Sequence, residues 1–176
     1  MMNNVVLLRL AARLLLSITL LCVVTACGWH LRGSLPLPSG LDSIAVINQA
    51  ETTELNAQLV SLLKANNVTI ADAVNDAQLI ITIVSQQNSR RIATYGSNAR
   101  VSEYELGNEA VFSVSNSQGE LLLPLTDIAT SRTYRYDEND VVGMSGEERL
   151  IQQEMLRELA QNILRRLRFL DLSKKA

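Results

Sequence analysis

The chain has 176 residues, with 18 acidic against 16 basic side chains, a formal net charge of −2 and 47% hydrophobic residues. That balance excludes a nucleic-acid binder, which needs a basic face, and there is no block of five or more like charges to supply one locally. The only histidine is His30 and the only cysteines are Cys22 and Cys27, so no Ser/His/Asp, Cys/His or zinc set can be assembled; the expectation is a chain that is not an enzyme, with no cofactor and no metal.

In chain order, Arg9 and Arg13 lead an apolar run, Leu14 to Val24, broken only by Ser17 and Thr19 and closed by Val24-Thr25-Ala26-Cys27. The run has the length of a secretory signal core, whereas a spanning helix needs about 20 apolar residues. Small residues directly before the cysteine make the pattern that of a bacterial lipoprotein signal. Residues 1–26 are then cleaved, and Cys27 becomes a lipidated N-terminus whose acyl chains anchor the protein to a membrane. The other reading is an uncleaved N-terminal membrane helix with an incidental cysteine. Gly28 after the cysteine, rather than Asp, resembles lipoproteins sent to the outer membrane. Loss of Arg9 and Arg13 leaves a more acidic mature chain, whose length of about 150 residues suits a single core. Residues 27–40, with Pro36, Pro38 and Gly40, read as the lipidated cysteine and an extended tether, 41–172 as one domain and 173–176 as a short tail.

Within the domain, Ile44-Ala45-Val46-Ile47 is a short buried strand. Thr53 to Asn66 places Leu55, Leu59, Leu62 and Leu63 on one helical face, and Asn66-Asn67 can close the helix in a left-handed conformation. Gln78 to Gln86, rich in Ile and Val, predicts a strand. Gln87 to Arg100 carries Arg90, Arg91, Gly96 and Arg100 among small polar residues and predicts a projecting polar hairpin. From Val101, the apolar positions Tyr104, Leu106, Ala110, Phe112 and Val114 alternate with Glu103, Glu105, Glu109 and Ser113, a half-buried strand. Asn116 to Gly119 is a turn, and Leu121 to Tyr136 returns as the partner strand, with Pro124 demanding an edge or a bulge. Ser145-Gly146-Glu147-Glu148 reads as a capping box opening the last helix, whose stripe is Ile151, Met155, Leu156, Leu159, Ile163, Leu164 and Leu167. The order β-α-β-β-β-α predicts an α+β two-layer sandwich, two helices on one face of a four-stranded mixed sheet.

Three charged groups remain. Asp137-Glu138-Asn139-Asp140 is oxygen-rich but lacks the glycine and distant Glu of a calcium loop, so a solvated turn is the expectation. Arg165, Arg166 and Arg168 sit in the last helical turns, where the helix dipole favours cations. Arg90, Arg91 and Arg100 are dense for a hairpin. They read either as solubilising charge or as a site for an anionic ligand, whose phosphates arginines hold by bidentate hydrogen bonds.

The stretches Cys27-Gly28-Trp29-His30-Leu31-Arg32-Gly33, Glu103-Tyr104-Glu105-Leu106, Arg132-Thr133-Tyr134-Arg135-Tyr136-Asp137, Glu147-Glu148 and Arg165-Arg166-Leu167, in this order and spacing, resemble the LptE family of lipopolysaccharide-assembly lipoproteins. The resemblance covers essentially the whole mature chain. It implies two helices on a four-stranded sheet, a non-enzymatic role in the outer membrane, and a domain that plugs the β-barrel partner LptD, assists its assembly and binds lipopolysaccharide. Family members often carry a lysine just before the acidic start of the last helix, in a run resembling LAKxxEE. Ser145 stands there in this chain, which moves the expected lipopolysaccharide contacts to Arg90, Arg91 and Arg100. The alternative is a freestanding periplasmic lipoprotein that binds a small ligand or a cell-wall component.

Overall fold

The computed structural model describes residues 37–38 and 40–170, so the signal, Cys27, the tether up to Pro36 and the 173–176 tail lie outside the described residues. The elements are β1 (Ser43–Asn48), α1 (Glu54–Ala65), β2 (Thr69–Ile70), a 3-10 turn (Val74–Asp76), β3 (Leu79–Tyr95), β4 (Val101–Asn116), β5 (Leu121–Arg135) and α2 (Val141–Leu167). The sheet order is β2-β1-β3-β4-β5. Strands β1, β2 and β3 run parallel, and β3, β4 and β5 run antiparallel. The α+β class and the mixed sheet are as expected, but there are five strands rather than four. The extra strand, Thr69–Ile70, is two residues long and pairs only with Ser43 and Ile44, too short to show any periodicity in sequence.

Both helices lie on one face of the sheet. Leu55, Leu59 and Leu63 of α1 and Leu156, Leu159, Ile163 and Leu167 of α2 share one buried cluster with Ile44, Leu79, Ile81, Ile83, Phe112 and Val114. Asn67 stands in the left-handed region at φ 61°, just past the end of α1, as the Asn66-Asn67 pair predicts. Pro124 lies on edge strand β5, inside a stretch where the β4–β5 register slips between Phe112 and Val114, so it has both an edge and a bulge.

The long strands give the domain two ends. The starts of β1, β3 and β5, the finish of β4 and the C-terminus of α2 gather at one end, here the near end; the chain enters the fold there, at Gly40 and Leu41. The far end is the tip of the β3–β4 hairpin, about 55 Å away along the 17 residues of β3. Strand β1 pairs with β3 only as far as Ile83, and α1 runs back to the near end, so beyond Ile83 only β3, β4, β5 and the N-terminal half of α2 continue.

Gln86, Asn108 and Thr130 are the buried polar side chains among the described residues, and they form a belt across β3, β4 and β5 at this boundary. Gln86 accepts a hydrogen bond from the Leu55 amide at the start of α1, and Thr130 donates to Glu158 of α2.

The stretch after Gln87 forms the expected polar hairpin from the end of one strand and the start of the next: pairing continues to Tyr95 and resumes at Val101, and the connection is only Gly96 to Arg100. One expectation needs correcting. The last helix does not begin at Ser145. It starts one turn earlier, because the Asp140 carboxylate accepts a hydrogen bond from the Gly143 amide at 3.0 Å and caps it. A Cβ at position 143 would collide with that carboxylate, so the cap requires this glycine.

Candidate functional site at the far end of the sheet

The three arginines singled out in the sequence all lie at the far end, but they do not converge. Strand β3 carries one extra residue at Val84, where the pairing steps from Ile83–Phe112 to Ser85–Val111. Such a bulge reverses which parity faces the helices. Leu79, Ile81 and Ile83 point to the core before it; Gln86 and Arg90 do so after it. Arg91 therefore projects from the opposite, uncovered face, and Arg100 belongs to the connection at the tip, which Ala99 turns through the left-handed region at φ 59°.

Each arginine has a carboxylate partner. Arg90 Nε lies 3.3 Å from Glu148, Arg91 lies 2.7 Å from Glu105, and Arg100 pairs with Glu138. The Arg91 and Arg100 side chains are 73% and 63% exposed, so both pairs are screened by solvent and weak.

Arg90 is held quite differently. Its guanidinium carbon sits 3.6 Å from the centre of the Tyr104 ring, and its Nη2 donates to the Tyr134 hydroxyl at 3.2 Å. That hydroxyl donates in turn to Glu148 at 2.5 Å. Tyr104 stacks on Tyr134 at 6.0 Å and meets Tyr136 edge-on at 5.1 Å, so the two tyrosines that touch Arg90 belong to a cluster of three. The hydrogen bond to Tyr134 and the nearby Glu148 raise the Arg90 pKa further, against the opposing effect of burial. Burial, with the bond to Glu148, lifts the Tyr134 phenol above its usual value, keeping it a neutral donor. Glu148, read in the sequence as a capping residue, is thus the acid that locks the first turns of α2 to β3 and β5.

Next to this network an open cleft of about 500 Å³ is lined by Ser102, Glu103, Arg135, Tyr136, Asp137, Met144 and Glu147. Sequence reasoning missed Tyr104, Tyr134 and Glu148 as a set and Arg135 as a cation of the cleft. The available signal was β-strand alternation: Tyr104 and Tyr134 are cross-strand partners, as are Glu103 and Arg135. The acidic run is a turn and a cap, in which Asp137 accepts from Asn139 and Asp140 caps α2. Among the described residues no group of three or more His, Cys, Asp or Glu is arranged to hold a metal ion, and no helix is long and apolar enough to cross a membrane.

The profile of the LptE lipopolysaccharide-assembly family matches residues 41–167. The LPS-assembly lipoprotein LptE of Pectobacterium atrosepticum is 22% identical over 151 residues, covering 82% of this chain and 78% of that one. The LPS-assembly lipoprotein LptE of Yersinia pestis is 26% identical over 160 residues, covering 88% and 73%. Among solved structures, rare lipoprotein B from Shewanella oneidensis aligns with a TM-score of 0.62 at 26% identity, over 72% of this chain and 93% of that one. Lipoprotein B from Nitrosomonas europaea shares the fold, with a TM-score of 0.66 at 20% identity over 80% and 90%. With a match running from before β1 to the end of α2, the chain belongs to the LptE lipopolysaccharide-assembly family.

Proposed function

We propose that this chain is a non-enzymatic lipoprotein of the outer membrane, anchored through an acylated Cys27, that fills the lumen of an LptD-type β-barrel, assists assembly of that barrel and binds lipopolysaccharide during its insertion. The observation that carries this reading is the family match across the whole sheet and both helices. The uncovered face of the far half is consistent with a water-filled lumen, since it presents Gln87, Ser89, Arg91, Glu105 and Glu109 rather than an apolar patch.

Arg91 and Arg100 are the groups best placed to meet a phosphate. Each is exposed and held by one weak surface pair, which a doubly charged phosphate displaces by offering stronger bidentate hydrogen bonds. Arg90 contributes the same charge from a fixed position but is committed to Tyr104, Tyr134 and Glu148.

Affinity purification of the full-length lipoprotein from detergent-solubilised outer membranes tests the proposal. A large β-barrel protein is expected in equal amount. Recovery of the lipoprotein alone under mild detergent would move the assignment to a freestanding lipoprotein binding a small ligand or cell-wall component, although the far-end cleft is open and charged rather than the enclosed apolar pocket such ligands favour.

A further inference from the structure

Among the described residues, β5 is the one long strand with an open side. It pairs with β4 alone, whereas the opposite edge of the sheet is the two-residue β2. The Tyr136 amide donates to the Ser102 carbonyl at 2.9 Å and continues the register that sets Arg135 opposite Glu103. Bonded and non-bonded pairs alternate along an antiparallel ladder. Ile128, Thr130, Arg132 and Tyr134 therefore turn their main-chain groups to β4, and Asp127, Ala129, Ser131, Thr133 and Arg135 turn theirs outward. On that outer side the Ser131 carbonyl accepts from the Arg132 guanidinium at 2.9 Å, and no other described residue bonds to these main-chain groups. All five outward residues are exposed.

Sheets ordinarily keep an edge short or block it with proline, a bulge or charge, because unpaired N–H and C=O groups template another strand. In β5 the proline and the register slip both fall before Asp127, and pairing with β4 is unbroken from there to Arg135, about 30 Å of strand. Ala129, Ser131 and Thr133 are too small to obstruct a neighbour. Asp127 and Arg135 stand at the two ends with opposite sign, and neither has an ion-pair partner among the described residues. Each end also borders an open cleft shared with α2, lined by Arg165, Arg166 and Phe169 at one and by Met144 and Glu147 at the other. What fits such an edge is polypeptide, since only an extended main chain offers donors and acceptors at strand spacing. Its complement carries a base opposite Asp127 and an acid opposite Arg135. Inside a barrel lumen, the chain that can reach this edge is the barrel's own. The wall strands already have two neighbours each, so the segment is a loop folded into the lumen.

We infer that the outer edge of β5, from Asp127 to Arg135, takes an extended loop of the barrel partner as a sixth strand of the sheet, so that main-chain hydrogen bonds hold the domain in the lumen. The inference rests on the place in the lumen proposed above. It is tested with the full-length lipoprotein purified from outer membranes with its barrel, and with the same chain purified alone. Amide hydrogen exchange resolved to single residues is expected to be fast at Ala129, Ser131 and Thr133 in the chain alone and slower on the order of a hundredfold in the complex. Ala129→Pro with Thr133→Pro removes only outward N–H groups, so the melting temperature is expected to stay nearly unchanged while the barrel recovered falls several-fold. If that variant does not fold, the exchange measurement decides alone. Equally fast exchange at the three amides with the barrel bound overturns the pairing and leaves the lumen reading standing, as does full barrel recovery by the folded proline variant. Slow exchange already present in the chain alone also overturns it, as pairing within the chain or with a second copy. Absence of a barrel from the wild-type preparation removes the lumen reading and this inference together.

Discussion

The near and far halves of one sheet are stabilised by different physics. In the near half, five strands and two helices enclose Ile44, Leu55, Leu59, Leu63, Ile81, Ile83 and Phe112, all fully buried. In the far half, three strands and one helix enclose only Leu106, Tyr134 and Met155, with Tyr104 and Ile151 against them. There the inward positions go to Arg90, Tyr104, Arg132 and Tyr134, and the sheet is joined to α2 by Arg90–Glu148 and by Arg132–Glu158 at 2.5 Å. The polar belt of Gln86, Asn108 and Thr130 divides the two, and the Asn108 carbonyl and the Gln86 amide nitrogen in it lack partners. The difference teaches that the near half supplies the stability of the fold, while the far half holds a long polar arm in shape by directed contacts. Hydrophobic packing is non-directional and strong per residue, whereas a hydrogen-bonded ionic network is weaker but specifies geometry.

Substitutions on each side of the belt break or sharpen this comparison. Phe112→Ala in the near half is expected to cost about 3–5 kcal/mol in denaturant unfolding, through lost burial and the cavity left behind; a loss as small as that of a far-half substitution would erase the distinction. Tyr134→Phe in the far half is expected to cost about 1 kcal/mol, because Arg90 and Glu148 keep each other as partners.

The same residue carries a pH signature. Its folded pKa is raised above the usual phenol value of 10.0, so its contribution is fully present below that pH and is lost as pH rises through the folded value. Thermal scans above pH 10 are expected to show a fall in Tm that Tyr134→Phe reduces, and identical alkaline profiles for the two proteins would remove Tyr134 as the titrating group. Smallest in stability is Arg91→Ala with Arg100→Ala, expected to leave the denaturant midpoint nearly unchanged since both pairs are exposed. That double variant is instead expected to weaken lipopolysaccharide binding by about tenfold in low salt, and unchanged binding would take both residues out of the ligand site.

Much of the architecture was legible in the residues. The leucine spacing of α1, the stripe of α2, the alternation of β4, the turn at Asn116 to Gly119 and the double demand of Pro124 all stand as read, because each depends on local period or turn chemistry. The misreadings share one cause, a local pattern overridden at long range. The acidic Ser145 to Glu148 run has the form of a capping box, yet Asp140 already caps the helix, and Glu148 is drawn to Tyr134 and Arg90. Two residues of β2 exist only because β1 offers an edge. Arg90 and Arg91 look like one charged group, but strand geometry sends neighbours to opposite faces.

The sequence by itself determined the order of the long elements, the core of the near half and the placing of Arg90, Arg91 and Arg100 around one hairpin, since hydrophobic period and strand length are written locally. Only the tertiary structure decided which arginine is free to meet a ligand and which is fixed. That choice turns on the single extra residue at Val84, which reverses the inward parity of β3, and on Tyr134, 44 positions from Arg90 in sequence and in hydrogen-bond contact with it in the fold. A bulge leaves no mark in composition, and a cross-strand network depends on register, which is set by the packing of the whole face rather than by any one segment.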